Sequence, residues 1–341
     1  MRYLLLFLLF SLCQPIAFAQ QLSVQGNQFL LNGDQFDMWG IRVASASQTD
    51  SLTERLITNL DEYKKYGVNT ISVYLQGSSG GFSDPFRNQG RILDEGHARR
   101  LKQIIEACQQ RDMVVIVGIF YQRVIDNRNG TRRLNSREAI FRAVETTVKV
   151  LKPYQNVIIN IANEQNSTIY RKFAPFRFNE PQNIIDLCQH IKQLDPQRLV
   201  GGGGYHDSSN VVLGRSEWVD VLLFDTFSGD IEAGQHSGWH YDYFRENGVP
   251  DKPMVNVEMF GGWTRQFIPP GVYTPEGKTI HLREIEEARK RPGLYVHLHS
   301  NPWCQGPADG YPVRYNLGGD GSTEDPGIRW WFEAVSSSSQ E

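Results

Sequence analysis

Cysteine is scarce in this chain, four residues in 341. No C-x-x-C pair occurs, and an odd three (Cys108, Cys188 and Cys304) remain beyond the first nineteen positions. A disulfide scaffold and a cysteine zinc site are therefore not expected. Cys108 and Cys188 fall in apolar helical patterns, where a free thiol serves as a small core side chain. An excess of one charge is missing too. The 35 basic side chains against 38 acidic ones leave no basic footprint for nucleic acid. No G-x-G-x-x-G follows the first apolar run, and the glycines of Gly201–Gly204 lack that dinucleotide fingerprint. A membrane-spanning run is also absent: Leu4–Leu12, broken by Ser11, falls short of the roughly 18–20 residues a bilayer needs.

That short run has another use. Arg2 precedes it and Ala17-Phe18-Ala19 follows, so residues 1–19 are expected to be a signal peptide cleaved before Gln20. A secreted or periplasmic product follows, with no membrane span once the signal is removed. Asn129 and Asn166 begin N-x-[ST] sequons, which matter only where the source glycosylates.

Beyond Gln20 the pattern is strand, then helix, repeated. Apolar runs occupy Met38–Ala44, Thr70–Leu75, Val114–Phe120, Val157–Ala162, Leu199–Gly202, Val221–Phe227, Met254–Met259 and Leu294–Leu298. Runs apolar on both faces suit buried parallel strands. Amphipathic stretches at Leu52–Tyr66, Ala98–Arg111, Arg137–Leu151, Pro181–Leu194 and Leu282–Lys290 read as helices between them. Asp94 and Asn135-Ser136 mark two helix starts. Only Gly204–Asp220 is too short for more than a turn or two. Eight such units predict an α/β protein built as one (β/α)8 TIM barrel over residues 20–335. A doubly wound open sheet is the alternative. Gln21–Leu31 reads as an N-terminal β-hairpin that plugs the bottom of the barrel, and 336–341 as a disordered tail.

In such a barrel the reactive groups stand at the C-terminal strand ends. Glu164 ends the fourth barrel strand and Glu258 the seventh, each directly after an apolar run. A carboxylate there is costly to bury unless it is paired or hydrogen-bonded. Each alone reads equally well as a strand cap; together they form the acid and carboxylate pair that glycosidic cleavage uses.

Asn163-Glu164 on strand four with Glu258 on strand seven resembles the clan A glycoside hydrolases, including the family 5 cellulase-like barrels. Phe29-Leu30-Leu31-Asn32-Gly33 before Trp39-Gly40-Ile41-Arg42 is similar to the start of those catalytic domains. The resemblance implies a retaining β-glycoside hydrolase. Glu164 would be its acid/base, Glu258 its nucleophile, and Asn163 would contact the sugar 2-hydroxyl. Retention calls for carboxyls about 5–5.5 Å apart. Trp303 resembles the tryptophan on which family members stack the sugar. Arg42, ending strand one, is a candidate partner for Glu258.

Three positions depart from the family pattern. Ser72 replaces an arginine on strand two, Phe120-Tyr121-Gln122 a histidine on strand three, and Asp225-Thr226-Phe227 the His-x-Tyr of strand six. Tyr74, Tyr121, His206 and Asp225 are candidates for the missing sugar contacts, and His299 for a sugar contact or a hydrogen-bonded wall residue; Trp239, Tyr241, Tyr243 and Trp263 are candidates for further subsites. Arg123, Arg128, Arg132, Arg133, Arg171, Lys172 and Arg177, interleaved with Tyr170, Phe173, Phe176 and Phe178, suggest a rim for an anionic glycan. His297-Leu298-His299 and the other histidine pairs lack a third metal ligand, so no metal and no cofactor is expected. The expected partner is a poly- or oligosaccharide, and a monomer and endo-action are expected. Exo-action, transglycosylation and a non-catalytic sugar-binding barrel are the alternatives.

Overall fold

The computed structural model describes residues 20–78, 83–122, 134–173, 175–260, 270–300, 303–307 and 310–337. The expected signal segment 1–19, Arg123, Arg128, Arg132, Arg133, Asn129 and Trp263 lie outside the described residues.

Among the described residues the chain forms thirteen strands. Three form a small antiparallel sheet: β1 (Leu22–Gln25), β2 (Gln28–Leu31) and β3 (Asp34–Phe36). Eight close a parallel barrel: β4 (Trp39–Arg42), β5 (Thr70–Tyr74), β8 (Val114–Phe120), β9 (Val157–Ala162), β10 (Leu199–Gly202), β11 (Val221–Asp225), β12 (Met254–Glu258) and β13 (Leu294–Leu298). The remaining pair, β6 (Phe86–Arg87) and β7 (Ile92–Leu93), forms a ribbon between β5 and the next helix. The fold is the expected (β/α)8 barrel. The N-terminal hairpin is extended by one strand, because Asn32-Gly33 makes a second turn, with Asn32 at φ +57° and Gly33 at φ +90°.

Helices over Asp50–Lys65, Glu95–Gln109, Arg137–Leu151, Pro181–Leu194 and Pro275–Arg289 cover the barrel. Asp94 and Ser136 cap two of them by accepting from His97 N and Ala139 N. The fifth unit has a nine-residue helix, Asp207–Arg215. The last helix, Arg329–Ser337, takes up the first two residues of the expected tail. Among the described residues no helix is long and apolar enough to cross a membrane.

Two apolar layers hold this together. One lies between strands and helices; the other fills the barrel with Met38, Val114, Ile116, Ile158, Val221 and Val255, closed below by Leu22, Phe29 and Leu31. Phe29 meets Tyr295 with ring centroids 5.0 Å apart, which fixes the small sheet as the plug. Near the top, glycines make room for larger neighbours. A Cβ at Gly118 would lie 2.0 Å from the Tyr74 ring, and one at Gly40 2.2 Å from the His297 ring. The register of β11 and β12 shifts between Phe224 and Asp225, so that Asp225 pairs with Glu258. Val255 and Val257 face the interior, and strict alternation would turn Glu258 away. The irregularity carries Glu258 to the barrel mouth, a known use of such bulges.

Candidate active site

Both strand-end glutamates belong to one connected set of side chains. Arg42 rises from the end of β4, only 1% exposed, and its Nη1 lies 2.7 Å from Glu258 Oε2. Arg42 Nη2 donates to Asn163 Oδ1 at 2.6 Å, and Asn163 Nδ2 donates to Gln122 Oε1 at 3.0 Å. Gln122 Nε2 donates in turn to Glu164 Oε2 at 2.5 Å. A line of polar contacts thus runs from Glu258 through Arg42, Asn163 and Gln122 to Glu164. Gln305 fixes the guanidinium from a further side, accepting from Arg42 Nε at 2.7 Å. Tyr74 lies under it, 4.7 Å from guanidinium carbon to ring centroid, and its hydroxyl accepts from Asn160 Nδ2 at 3.0 Å.

The backbone at Glu164 is unusual. Its φ is +42°, in the left-handed region that costs a non-glycine residue about 1–3 kcal/mol and that clusters at working sites. The turn after it holds the conformation: Ser167 N donates to Glu164 O at 2.7 Å, and Gln165 N to Gly203 O at 3.1 Å. The glycine run beside it has a steric reason. A Cβ at Gly203 would sit 1.6 Å from Leu223 O, and one at Gly204 1.9 Å from Asn166 Oδ1.

Electrostatics separate the titrating groups. Burial pushes His299 down to about 4, with Glu258 opposing and Arg42 adding, and burial with Arg42 pushes His297 down to about 3, so each ring is neutral near pH 7. His299 Nδ1 stands 3.9 Å from Glu258 Oε1. Burial, then the charges of Glu258 and Glu164, push the Asp225 carboxyl well above the usual carboxylate range; Arg42 opposes this only in part. Burial works against the charge on Arg42, but Glu258, Tyr74 and Asp225 outweigh it and raise its pKa.

Of the residues singled out in the sequence, the structure gathers Glu164, Glu258, Asn163, Arg42, Tyr74, Asp225 and His299 at the mouth. Tyr121 is buried beside them, its N–H donating to Gln76 Oε1 at 2.7 Å. His206 stands apart, exposed at the start of the Asp207–Arg215 helix with its ring 4.9 Å from Tyr205. Trp303 is outside the connected set. Its indole N–H donates to Asn316 O, and Gly271 and Gly318 press on its ring. One edge borders a cavity of about 270 Å³ lined by Pro270, Val272, Tyr311 and Arg314.

Other expectations need correction. Tyr170, Phe173, Phe176 and Phe178 do not line the rim; they are buried and pack with Phe120 in a cluster whose rings lie 4.7–6.1 Å apart. Arg171, Lys172 and Arg177 remain exposed. Tyr241 is also internal, its hydroxyl donating to Pro292 O near the start of β13. Trp239 and Tyr243 do stack at the surface, 5.4 Å apart and 12° from parallel. The paired histidines have other partners: His236 meets Glu284, His240 meets Asp207, and His297 meets Ser72. Among the described residues no group of three or more metal-ligating side chains forms.

Gln122, Gln305 and Asn160 take part without having been proposed. Gln122 had a signal, since it lies where the family pattern places a histidine. Gln305 and Asn160 had none, because an amide carries no chemistry until its neighbours are known.

A family model described as cellulase (glycosyl hydrolase family 5) matches residues 32–211. No curated protein matches the chain. Among solved structures, the endo-1,4-β-mannanase of Rhizomucor miehei is similar, with TM-score 0.60 and 14% identity over 82% of this chain and 90% of that one. The β-mannanase of the blue mussel Mytilus edulis gives 0.57 and 15% over 94% and 97%. A family 5 glycoside hydrolase from Bacteroides vulgatus gives 0.60 and 15% over 93% and 68%. At these identities the likeness is one of fold.

Proposed function

From the premise that this chain belongs to glycosyl hydrolase family 5 and is a glycoside hydrolase, we propose that it cleaves β-glycosidic bonds with retention, using Glu258 as nucleophile and Glu164 as acid/base. What carries the reading is the line of contacts from Glu258 through Arg42, Asn163 and Gln122 to Glu164. Side chains from β4, from the end of β8 and from the end of β9 converge on two carboxyls, at a cost that stability alone would not require.

In the first step Glu258 attacks the anomeric carbon while Glu164 gives its proton to the departing glycosidic oxygen. Arg42 balances the carboxylate charge on Glu258 and aims it. The glycosyl ester then forms on Glu258. Glu164, now a carboxylate, takes a proton from water, and that water displaces Glu258 from the sugar. Asn163 presents its remaining amide hydrogen to a sugar hydroxyl. The bond-making and proton-transfer steps themselves use two carboxyls and one water. The protein acts as one exported domain, residues 20–335, on an internal bond of a polysaccharide.

The test is release of reducing ends from β-1,4-mannan, a β-1,4-glucan and a uronate polymer, with wild type and Glu258→Gln run together. Mannan enters the panel because two of the similar structures are mannanases. Activity in wild type that falls by about 10⁴-fold in the variant is the expected result. Preference for the uronate polymer would support an anionic substrate. Equal activity of the two proteins would remove Glu258 from the mechanism.

A further inference from the structure

Asp225 stands directly beside Glu258, its Cα partner across β11 and β12. It is 5% exposed, and its Oδ1 has no hydrogen-bond partner among the described residues. The nearby guanidinium is already engaged: Arg42 meets Glu258, Gln305 and Asn163. Among the described residues the charged and titratable groups facing Asp225 are Arg42 from β4, Tyr74 from β5, Glu164 after β9, Tyr205 after β10 and Glu258 from β12. Two buried carboxyls side by side with one guanidinium, which closes on only one of them, do not both ionise. The unpaired one keeps its proton.

We propose that Asp225 is a third working carboxyl of this site, a neutral acid whose O–H is donated to a hydroxyl of the sugar unit seated on Glu258. The proposal rests on the roles given above to Glu258 and Glu164. A carboxylate at Asp225 would compete with Glu258 for Arg42 and would bring a second negative charge beside the nucleophile. A carboxylic acid does neither. It offers a donor in a place where Glu258 and Glu164 offer only acceptors once ionised. Burial away from water makes that donor selective, because a sugar lacking an acceptor there leaves it unpaired.

The test has two readouts. The first needs no substrate: the infrared difference spectrum of wild type minus Asp225→Asn near neutral pH. It should contain the C=O stretch of a protonated carboxyl. The second is kcat and KM on 2,4-dinitrophenyl β-cellobioside and β-mannobioside for wild type, Asp225→Asn and Asp225→Ala. Asparagine keeps a neutral donor and should stay within about tenfold of wild-type kcat/KM, while alanine should lose about 100-fold. Absence of the band overturns the proposal, as does a loss in Asp225→Asn equal to that in Asp225→Ala. If the alanine variant does not fold, the band and the asparagine variant still decide. Wild type inactive on both glycosides would overturn the sugar as acceptor. A band present in that case would locate the failure in the glycosidase reading, with the proton on Asp225 intact.

Discussion

At the lower end of the barrel the inward side chains are Met38, Val114, Ile116, Ile158, Val221 and Val255, sealed by Phe29 of the N-terminal sheet. At the upper end the barrel strands carry Arg42, Tyr74, Asn160, Asp225 and Glu258, all buried. These five polar groups are buried as the apolar ones below are, so burial alone does not distinguish the two sets. What differs is the work each set of side chains does. Apolar groups below gain from leaving water, about 1.5–3 kcal/mol for each large side chain. Polar groups above lose by it and recover part of the loss through mutual contacts. Glu164 adds backbone strain at the same end. A protein selected for stability alone would fill both ends alike, and that asymmetry is the physical ground for placing the proposed chemistry at the top.

The comparison is broken most severely by substitutions at the top. Glu164→Ala should lower kcat/KM on unactivated β-glycosides by about 10³-fold. The loss should shrink on 2,4-dinitrophenyl glycosides, whose leaving group needs no proton, and added azide should restore turnover there. Rate assays across leaving groups read this directly. Phe29→Ala probes the opposite end. It should cost about 3–4 kcal/mol of unfolding free energy in denaturant titrations while kcat is unchanged. A fall in kcat with unaltered stability would merge the two regions. Arg42→Lys sharpens the comparison more gently. Lysine keeps the charge but not the fork that meets Glu258, Asn163 and Gln305 together, so kcat should fall by about 10–100-fold with little change in KM.

The lower end was easier to read in the sequence than the upper one. Strand boundaries at Val114–Phe120, Val157–Ala162, Leu199–Gly202 and Leu294–Leu298 coincide with the observed ones, since runs of branched apolar residues between turn residues have few other uses. The short β3, Asp34–Phe36, carries two polar residues in three and left no such trace. Glu164, Glu258 and Arg42 stood out at strand ends, and Asn163 through the family resemblance. Gln122 was marked only as a departure from the family pattern and Gln305 not at all, because their contribution lies in contacts across 42 and 263 positions of sequence. Tyr170, Phe173, Phe176 and Phe178 misled for the opposite reason. Aromatic residues in a rim loop look like sugar platforms, yet here they form the loop's own core against Phe120. Period-based reading has no means of telling a loop that packs on itself from one that faces a ligand.

Retention by double displacement requires a covalent glycosyl ester on Glu258. Incubation with 2,4-dinitrophenyl 2-deoxy-2-fluoro-β-cellobioside and its mannobioside counterpart, followed by peptide mass spectrometry, tests it most directly. A stable adduct of one fluorinated disaccharide on the peptide containing Glu258 is expected, absent in Glu258→Gln and lost slowly as activity returns. Turnover of the parent glycosides with inverted product stereochemistry by NMR and no adduct, or an adduct on another residue, would contradict it.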